Sequence, residues 1–228
     1  MKEEASSFRD STEQEDNSRS SSLEIYHERQ SPFNLQCLKH AINHLLGGPY
    51  INRNDLDAIC EELSPPGIDS NSLFFTNWKM NPHRSVVPGL GNYDVNVAMV
   101  ALQRQGYEAR FFDTRKSVDE LIKTLCGPSA EESKKEPQPN STKGTKESAS
   151  SLFQGLLLNV PGKLSFMTSS SRHWICYRRH HLQWWKLDSN EHGAIRIHDI
   201  AETLQNHLLQ EDHILIVEKK LEKDHTRG

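Results

Sequence analysis

An α+β fold is the class that this sequence of 228 residues predicts, as one domain large enough to bury a sizeable core. Apolar residues at helical spacing dominate the first half of the chain, whereas short apolar or alternating runs dominate the second half. Helices and strands that are separated along a chain in this way favour a helical half packed against an antiparallel sheet.

The helices are predicted from apolar spacing together with start and stop signals. The first begins at Cys37, because the apolar pattern starts directly after it, and the run Gly-Gly-Pro at 47–49 ends it. Asn54 and Asp94 are the predicted N-caps of the second and third helices. Five helices are predicted, which start at Cys37, Asn54, Asp94, Val118 and Ile200.

The strands are short runs, most of them after residue 150. The third and fourth are predicted to form a hairpin around a turn at 179–181, and the last is predicted to be a central strand because Ile214 to Val217 are all apolar. The predicted strands cover residues 107–112, 156–160, 173–178, 182–187 and 213–218.

The ordered domain is predicted to span residues 23–219. The serine-rich, acidic stretch 1–22 is predicted to be a disordered tail, and the charged residues 220–228 a second tail. Residues 127–150 are similarly polar and are interpreted as a disordered insert within the same domain. Residues 64–90 mix aromatic side chains with Pro, Gly and Asn, which fits either a solvated loop or a mobile arm.

Composition and charge exclude several classes of protein. The formal net charge is −4, so the chain lacks the basic footprint of a nucleic-acid-binding protein. No stretch approaches the ~20 apolar residues of a membrane span, and the polar N-terminus is unlike a secretory signal. We therefore expect a protein of the cytosol or nucleus. We also expect a monomer.

The cysteines indicate reduced thiols in such a compartment. The four of them show no C-x-x-C pairing, which argues against structural zinc, and the expected chemistry needs no metal or other cofactor. They are Cys37, Cys60, Cys126 and Cys176.

A cysteine that begins a helix, followed far downstream by His173 and then Asp188, has the order of a papain-like thiol hydrolase, in which the partners follow by roughly 130–150 residues. A helix N-terminus favours the thiolate, which is the attacking species. Here Cys37 is the candidate nucleophile, His173 the base, and Asp188 the group that orients the imidazole. His40, one helical turn after Cys37, is a competing base.

Each member of this triad also has an ordinary structural interpretation. A cysteine at a helix start is commonly a small buried side chain, a histidine in an apolar strand is commonly structural, and Leu-Asp-Ser is a common turn signal.

The oxyanion of an acyl intermediate also needs a second donor beside the Cys37 amide, and both Gln30 and Gln36 are candidates.

Five segments, in the same order along the chain, resemble the Josephin domain of deubiquitinating cysteine peptidases. Ile-Tyr-His-Glu-Arg-Gln at 25–30 and Cys-Leu-Lys-His-Ala-Ile-Asn at 37–43 are similar to its opening. Gly-Asn-Tyr-Asp-Val-Asn-Val at 91–97, Arg-His-Trp-Ile-Cys at 172–176 and Leu-Asp-Ser at 187–189 are similar to short Josephin proteins. The resemblance implies a papain-like fold and hydrolysis of ubiquitin isopeptide bonds, with ubiquitin and ubiquitinated proteins as partners.

Carried over to matching positions, the resemblance implies that Cys37 is the nucleophile, His173 the general base, Asp188 the orienting residue and Gln30 the oxyanion donor. The chain departs from the family pattern in having six residues between Gln30 and Cys37, where four are expected. Either two residues loop out, or Gln36 takes over the role.

Two other functional classes stay open at this point. A ubiquitin-binding module with little or no activity would keep the fold but lose thiol reactivity. A hydrolase of small molecules would keep the triad but not the Josephin-like segments.

Overall fold

The computed structural model describes residues 25–31, 36–64, 83, 93–126, 152–162 and 172–220. Five helices and six strands make up this described part of the chain, which confirms the α+β class. In chain order they are α1 (Cys37–Leu46), α2 (Arg53–Leu63), α3 (Val95–Arg104), β1 (Tyr107–Phe111), α4 (Val118–Cys126), β2 (Leu152–Pro161), β3 (Arg172–His180), β4 (Gln183–Leu187), β5 (Ile195–Ile197), α5 (Ile200–Leu209) and β6 (His213–Lys219). The predicted tail 1–22 and the insert 127–150 lie outside the described residues, as do most of the segment 64–90 and nearly all of the tail 220–228.

The six strands form one antiparallel sheet in the order β1-β6-β2-β3-β4-β5. The apolar strand β6 lies between β1 and β2, as expected for an interior strand. Because β1 precedes residues 127–150 and β2 follows them, elements from both sides of this stretch share the sheet.

Helices pack on both faces of the sheet. Leu157 of β2 lies in the core beneath α1, α2 and α3. Its neighbours Leu156 and Leu158 lie in the opposite core, together with apolar residues of α4 and α5. Successive side chains of a strand alternate between faces, so a continuous leucine run fits a strand that is buried on both sides.

The sheet also fixes the position of α1. Cys37, at the start of α1, interacts with His173 near the start of β3. Gly47, directly after the helix, lies against Arg178 near the end of β3, so α1 and β3 run in the same direction. Gly47 has a φ of 81°, a left-handed conformation that terminates the helix and that glycine adopts at little cost.

Two local predictions need correction, and one strand was missed. The N-cap of α2 is Asn52, whose side chain accepts from backbone N–H groups, whereas the predicted cap Asn54 lies inside the helix. The β3–β4 turn is formed by His181 and Leu182, with φ of 47° and 64°, slightly later than the predicted 179–181. The edge strand β5 was not predicted, because three residues are too few to show alternation.

Candidate active site

Cys37 is the first residue of α1 and is 3% exposed. The first turn of the helix contains no acidic side chain of its own. The amide N–H groups of this turn and the dipole favour an anion at the thiol.

His173 joins the thiol to a carboxylate. Its Nε2 lies 2.7 Å from Asp188 Oδ1, and its charged form is also stabilised by the Cys37 thiol. With Nε2 engaged by Asp188, Nδ1 is the ring nitrogen left for the thiol. Burial works to lower the pKa of His173, but the interactions with Asp188 and Cys37 outweigh it and raise that pKa to about 9. The imidazole therefore favours its charged form at neutral pH.

Asp188 directly follows β4 and is 5% exposed. Burial raises the pKa of its carboxyl, but hydrogen bonds from His173 and the Asn190 backbone outweigh this and lower it to about 2. The Asn190 N–H donates to Oδ1 over 2.9 Å, and Lys186 Nζ lies 3.5 Å from Oδ2. Asp188 is thus held as an anion facing the imidazole.

Gln30 packs against the turn at 188–190, which directly follows β4. Its backbone N–H donates to the Ser189 carbonyl oxygen over 2.9 Å, and its side-chain amide is hydrogen-bonded to that of Asn190. Asn190 in turn lies 3.2 Å from His173 Nε2, so Gln30 reaches the site through one intervening side chain. Gln36, the other candidate, is the buried N-cap residue of α1.

The competing base, His40, has a different partner. Its Nδ1 bonds to Glu28, a carboxylate that also accepts from Asn43 over 2.9 Å and lies 3.1 Å from Lys39 Nζ. Burial raises the pKa of Glu28, but the hydrogen bond with His40, followed by those with its other neighbours, lowers it far more. Glu28 ties the N-terminal segment to α1, and this geometry favours His173 over His40 as the partner of Cys37.

His44 of α1 also contacts the N-terminal segment. It accepts from the Glu28 backbone N–H over 2.7 Å, and its ring stacks on His27 with centroids 4.7 Å apart. Burial, together with the neighbouring His27, lowers the pKa of His44 to about 4. The ring is therefore neutral at neutral pH, and His44 pins the N-terminal segment without adding charge.

The other described thiols are core side chains. Cys60 and Cys176 are both buried in the core beneath α1 to α3. Burial raises the pKa of the Cys176 thiol well above its ordinary value, which keeps it protonated and unreactive. The side chain of Cys126 lies outside the described part.

No group of three or more potential metal-ligating side chains occurs among the residues that the structure describes. No helix in the described ranges has the length and apolar content that a membrane span requires.

Sequence reasoning missed two residues at the site. Glu28 lies in the quoted segment 25–30, but its role as an anchor depends on contacts with α1 that the spacing does not reveal. Asn190 follows the predicted Asp188 by two residues, and a polar side chain so close after a candidate orienting residue was the available signal.

Comparison with known proteins identifies the fold family. The family model described as Josephin matches residues 34–218, which is most of the chain. This chain belongs to the Josephin family. The α+β architecture seen here agrees with the papain-like fold that the resemblance implied.

Individual relatives agree with the family match. The chain is 34% identical to a Josephin-like protein of Drosophila melanogaster over 171 residues, covering 72% of this chain and 59% of that protein. It is 33% identical to human Josephin-2 over 170 residues, covering 72% of this chain and 68% of that protein. It is 28% identical to a Josephin-like protein of Arabidopsis thaliana, covering 75% of this chain and 40% of that protein. Membership of the Josephin family supports a deubiquitinase-type function and a link to ubiquitin.

Proposed function

We propose that this Josephin protein is a cysteine peptidase that hydrolyses isopeptide or peptide bonds at the C-terminal glycine of ubiquitin. The observation that carries the proposal is the chain of contacts from the Cys37 thiol at a helix N-terminus, through His173, to Asp188. A thiol, an imidazole and a carboxylate in this order are the parts that nucleophilic acyl transfer requires.

In the acylation step, Cys37 Sγ attacks the carbonyl carbon of the terminal glycine of ubiquitin. The carbon–nitrogen bond then breaks, and the lysine amine leaves with a proton from the His173 imidazolium. The product is a thioester between ubiquitin and Cys37. Asp188 keeps the imidazole oriented and stabilises its charge throughout.

In the deacylation step, His173 removes a proton from a water molecule, whose oxygen attacks the thioester carbonyl. The carbon–sulfur bond breaks, Cys37 leaves as the thiolate, and ubiquitin is released with a free carboxylate. Both steps pass through an oxyanion. Its proposed donors are the Cys37 backbone N–H and the side-chain amide of Gln30.

A ubiquitin derivative with a C-terminal electrophile tests this proposal. We expect a covalent adduct with the wild-type chain, no adduct with Cys37→Ala, and an adduct with the control Cys60→Ala, which removes a thiol from the core. Mass spectrometry after proteolysis should locate the modification on Cys37.

The same experiment separates the alternatives. A ubiquitin-binding module would form a complex with the probe but no adduct, and a hydrolase of small molecules would form neither. An adduct that persists in Cys37→Ala would rule out this nucleophile.

A further inference from the structure

The side chain of Asn190 lies between His173 and Gln30, two residues that belong to different parts of the proposed machinery. One atom of its amide lies 3.2 Å from His173 Nε2, and the other bonds to the amide of Gln30. Its backbone N–H meanwhile donates to Asp188 Oδ1 over 2.9 Å. A single residue therefore contacts the base, the orienting carboxylate and the oxyanion candidate.

Hydrogen-bond chemistry decides which way the Asn190 amide is turned. The Nε2–H of His173 is a donor, because its partner at 2.7 Å is the anionic Asp188. An Asn190 Nδ2 at 3.2 Å would set a donor against a donor, whereas half a turn of the amide places Oδ1 there as an acceptor.

This choice also determines the orientation of Gln30. With Oδ1 facing the imidazole, Asn190 Nδ2 points at Gln30, which must then offer Oε1 as the acceptor. In the opposite orientation Gln30 Nε2 donates to Asn190 Oδ1, and the buried atom without a partner among the described residues is Gln30 Oε1, an acceptor that an oxyanion cannot use. Turning both amides satisfies Oε1 and puts the Gln30 NH₂ group at that buried position.

We propose that Asn190 is a positioning residue that accepts from His173 and donates to Gln30, so that the Gln30 NH₂ group is left free to serve the oxyanion. The inference rests on the proposed function, since an oxyanion donor matters only if acyl transfer occurs. It assigns one His173 Nε2–H that is shared between Asp188 Oδ1 and Asn190 Oδ1, with Asp188 as the nearer acceptor, and an Asn190 Nδ2–H that donates to Gln30 Oε1.

The arrangement also accounts for the long segment between Gln30 and Cys37. Gln30 is attached to the 188–190 turn twice, by its backbone N–H on the Ser189 oxygen at 2.9 Å and by its side chain on Asn190. Its position is therefore set by the turn that carries Asp188 and not by the number of residues that lead to the helix.

Two substitutions at Asn190 separate its two contacts. Asn190→Ala removes both of them. Asn190→Asp keeps an acceptor for His173 but cannot donate, so the carboxylate draws the Gln30 NH₂ group towards itself and away from the oxyanion. Asn206→Ala, on the exposed side of α5, is the matched control for loss of an asparagine amide.

The measurements are kcat and KM for a fluorogenic ubiquitin substrate and the NMR titration of the His173 imidazole. For Asn190→Ala we expect kcat to fall about tenfold or more with little change in KM, and the pKa of His173 to move down from about 9. For Asn190→Asp we expect kcat to fall about 10²-fold, as for loss of one oxyanion donor, while the pKa of His173 stays or rises.

The double variant Gln30→Ala with Asn190→Asp should be no slower than Gln30→Ala alone, because both act through one group. Equal kcat and equal His173 titration in Asn190→Ala and Asn206→Ala would overturn the inference, as would full turnover in Asn190→Asp.

The NMR titration does not depend on ubiquitin. If the wild-type chain fails to cleave any ubiquitin substrate, the proposed function fails, while the His173 titration of both Asn190 variants still decides whether Asn190 bonds to the imidazole. Thermal melting of each variant separates loss of folding from loss of positioning, and Asn190→Asp supplies a second folded variant if Asn190→Ala is unstable.

Discussion

Two of the histidine–carboxylate pairs among the described residues have nearly the same geometry but different surroundings. His173 lies 2.7 Å from Asp188, and His207 lies 2.8 Å from Asp212. Both carboxylates are buried, at 5% and 0% exposure. The pair itself therefore does not distinguish a candidate catalytic site from a structural contact.

The difference lies in the third member and in the helix end beside it. His173 reaches the thiol of Cys37 at the N-terminus of α1, where an anion is favoured. His207 is in the last turn of α5, and its Nε2 lies 2.9 Å from the hydroxyl of Tyr177. Burial raises the pKa of Tyr177 far above its ordinary value, so the phenol stays protonated and donates. One pair activates a nucleophile in our proposal, and the other joins α5 to the sheet.

Removing the carboxylate of each pair should produce the largest difference between them, a loss of kcat for one and a loss of stability for the other. Asp188→Ala should lower kcat for a ubiquitin substrate by ~10³-fold or more, because the imidazole loses its orientation and its counter-charge. Ubiquitin affinity should change little, since Asp188 is not expected to touch the substrate. Asp188→Asn should be milder, because an amide oxygen still accepts from the imidazole.

Asp212→Ala is the matched substitution in the second pair. It should lower the free energy of unfolding by about 3 kcal/mol, since a buried pair loses one partner, while the folded protein retains its kcat. Chemical denaturation and steady-state kinetics on both variants check this prediction. A large loss of kcat in folded Asp212→Ala would mean that the two pairs are not separate in function.

The pH dependence sharpens the comparison. The pKa of His173 is raised to about 9, so its pairing stabilises the folded state fully below the unfolded value of ~6.5, and this contribution is lost as the pH rises through about 9. We expect kcat/KM to fall above about pH 9, because the imidazolium that protonates the leaving amine is lost.

In Asp188→Asn this alkaline limb should move to lower pH, because the negative charge that raises the pKa of His173 is absent. A pH profile of kcat/KM for both proteins is the measurement. An alkaline limb at the same pH in Asp188→Asn would argue against His173 as the group that it reports.

Much of this arrangement was predictable from local signals. The bounds of α1, Cys37–Leu46, were predicted residue by residue, because apolar spacing and the Gly-Gly-Pro run mark both ends. Asp94 caps α3 as predicted, since its carboxylate accepts from two backbone N–H groups of the first turn. The closeness of His173 and Asp188 followed from the predicted hairpin, in which Cys176 pairs with Leu187.

Contacts between distant segments were not predictable in the same way. Gln30 meets Asn190 across 160 positions of the chain, and no spacing rule connects an irregular segment to a turn at that separation. The choice between Gln30 and Gln36 as oxyanion donor also depended on a distant contact, that of Gln30 with Asn190.

Asn52 and Asn54 are both plausible caps by residue type, and only the three-residue distance to Asp55, which closes a capping box with Asn52, decides between them.

Moving α1 relative to β3 should affect the His173–Asp188 pair, which contacts Cys37 of α1, and leave the His207–Asp212 pair intact. A Cβ atom on Gly155 of β2 would lie 2.5 Å from Leu45 Cδ1 and 2.7 Å from the Tyr177 carbonyl oxygen. Gly155→Ala should therefore cost about 1–3 kcal/mol of stability and push the helix outward, which separates the thiol from its imidazole. Gly193→Ala is the control, because nothing lies within 4 Å of an added Cβ there.

The measurements for this pair of variants are chemical denaturation and the rate of adduct formation with the ubiquitin electrophile. A slower adduct in Gly155→Ala but not in Gly193→Ala is the expected result. Unchanged stability in Gly155→Ala would contradict the prediction, because it would mean that β2 shifts to accommodate the added methyl group while α1 stays in place.

The smallest expected effect tests whether the second pair is purely structural. Tyr177→Phe removes the hydroxyl that lies 2.9 Å from His207 Nε2, but His207 keeps Asp212 and is partly exposed, so solvent can take the vacated place. The free energy of unfolding should fall by about 1 kcal/mol, the usual net value of one hydrogen bond. The kcat and the alkaline limb assigned to His173 should stay as in the wild type, because Tyr177 belongs to the core opposite α1. Denaturation and pH profiles measured together decide the matter: a shifted limb would show that β3 couples the two histidines, and that the thiol is not the only difference between them.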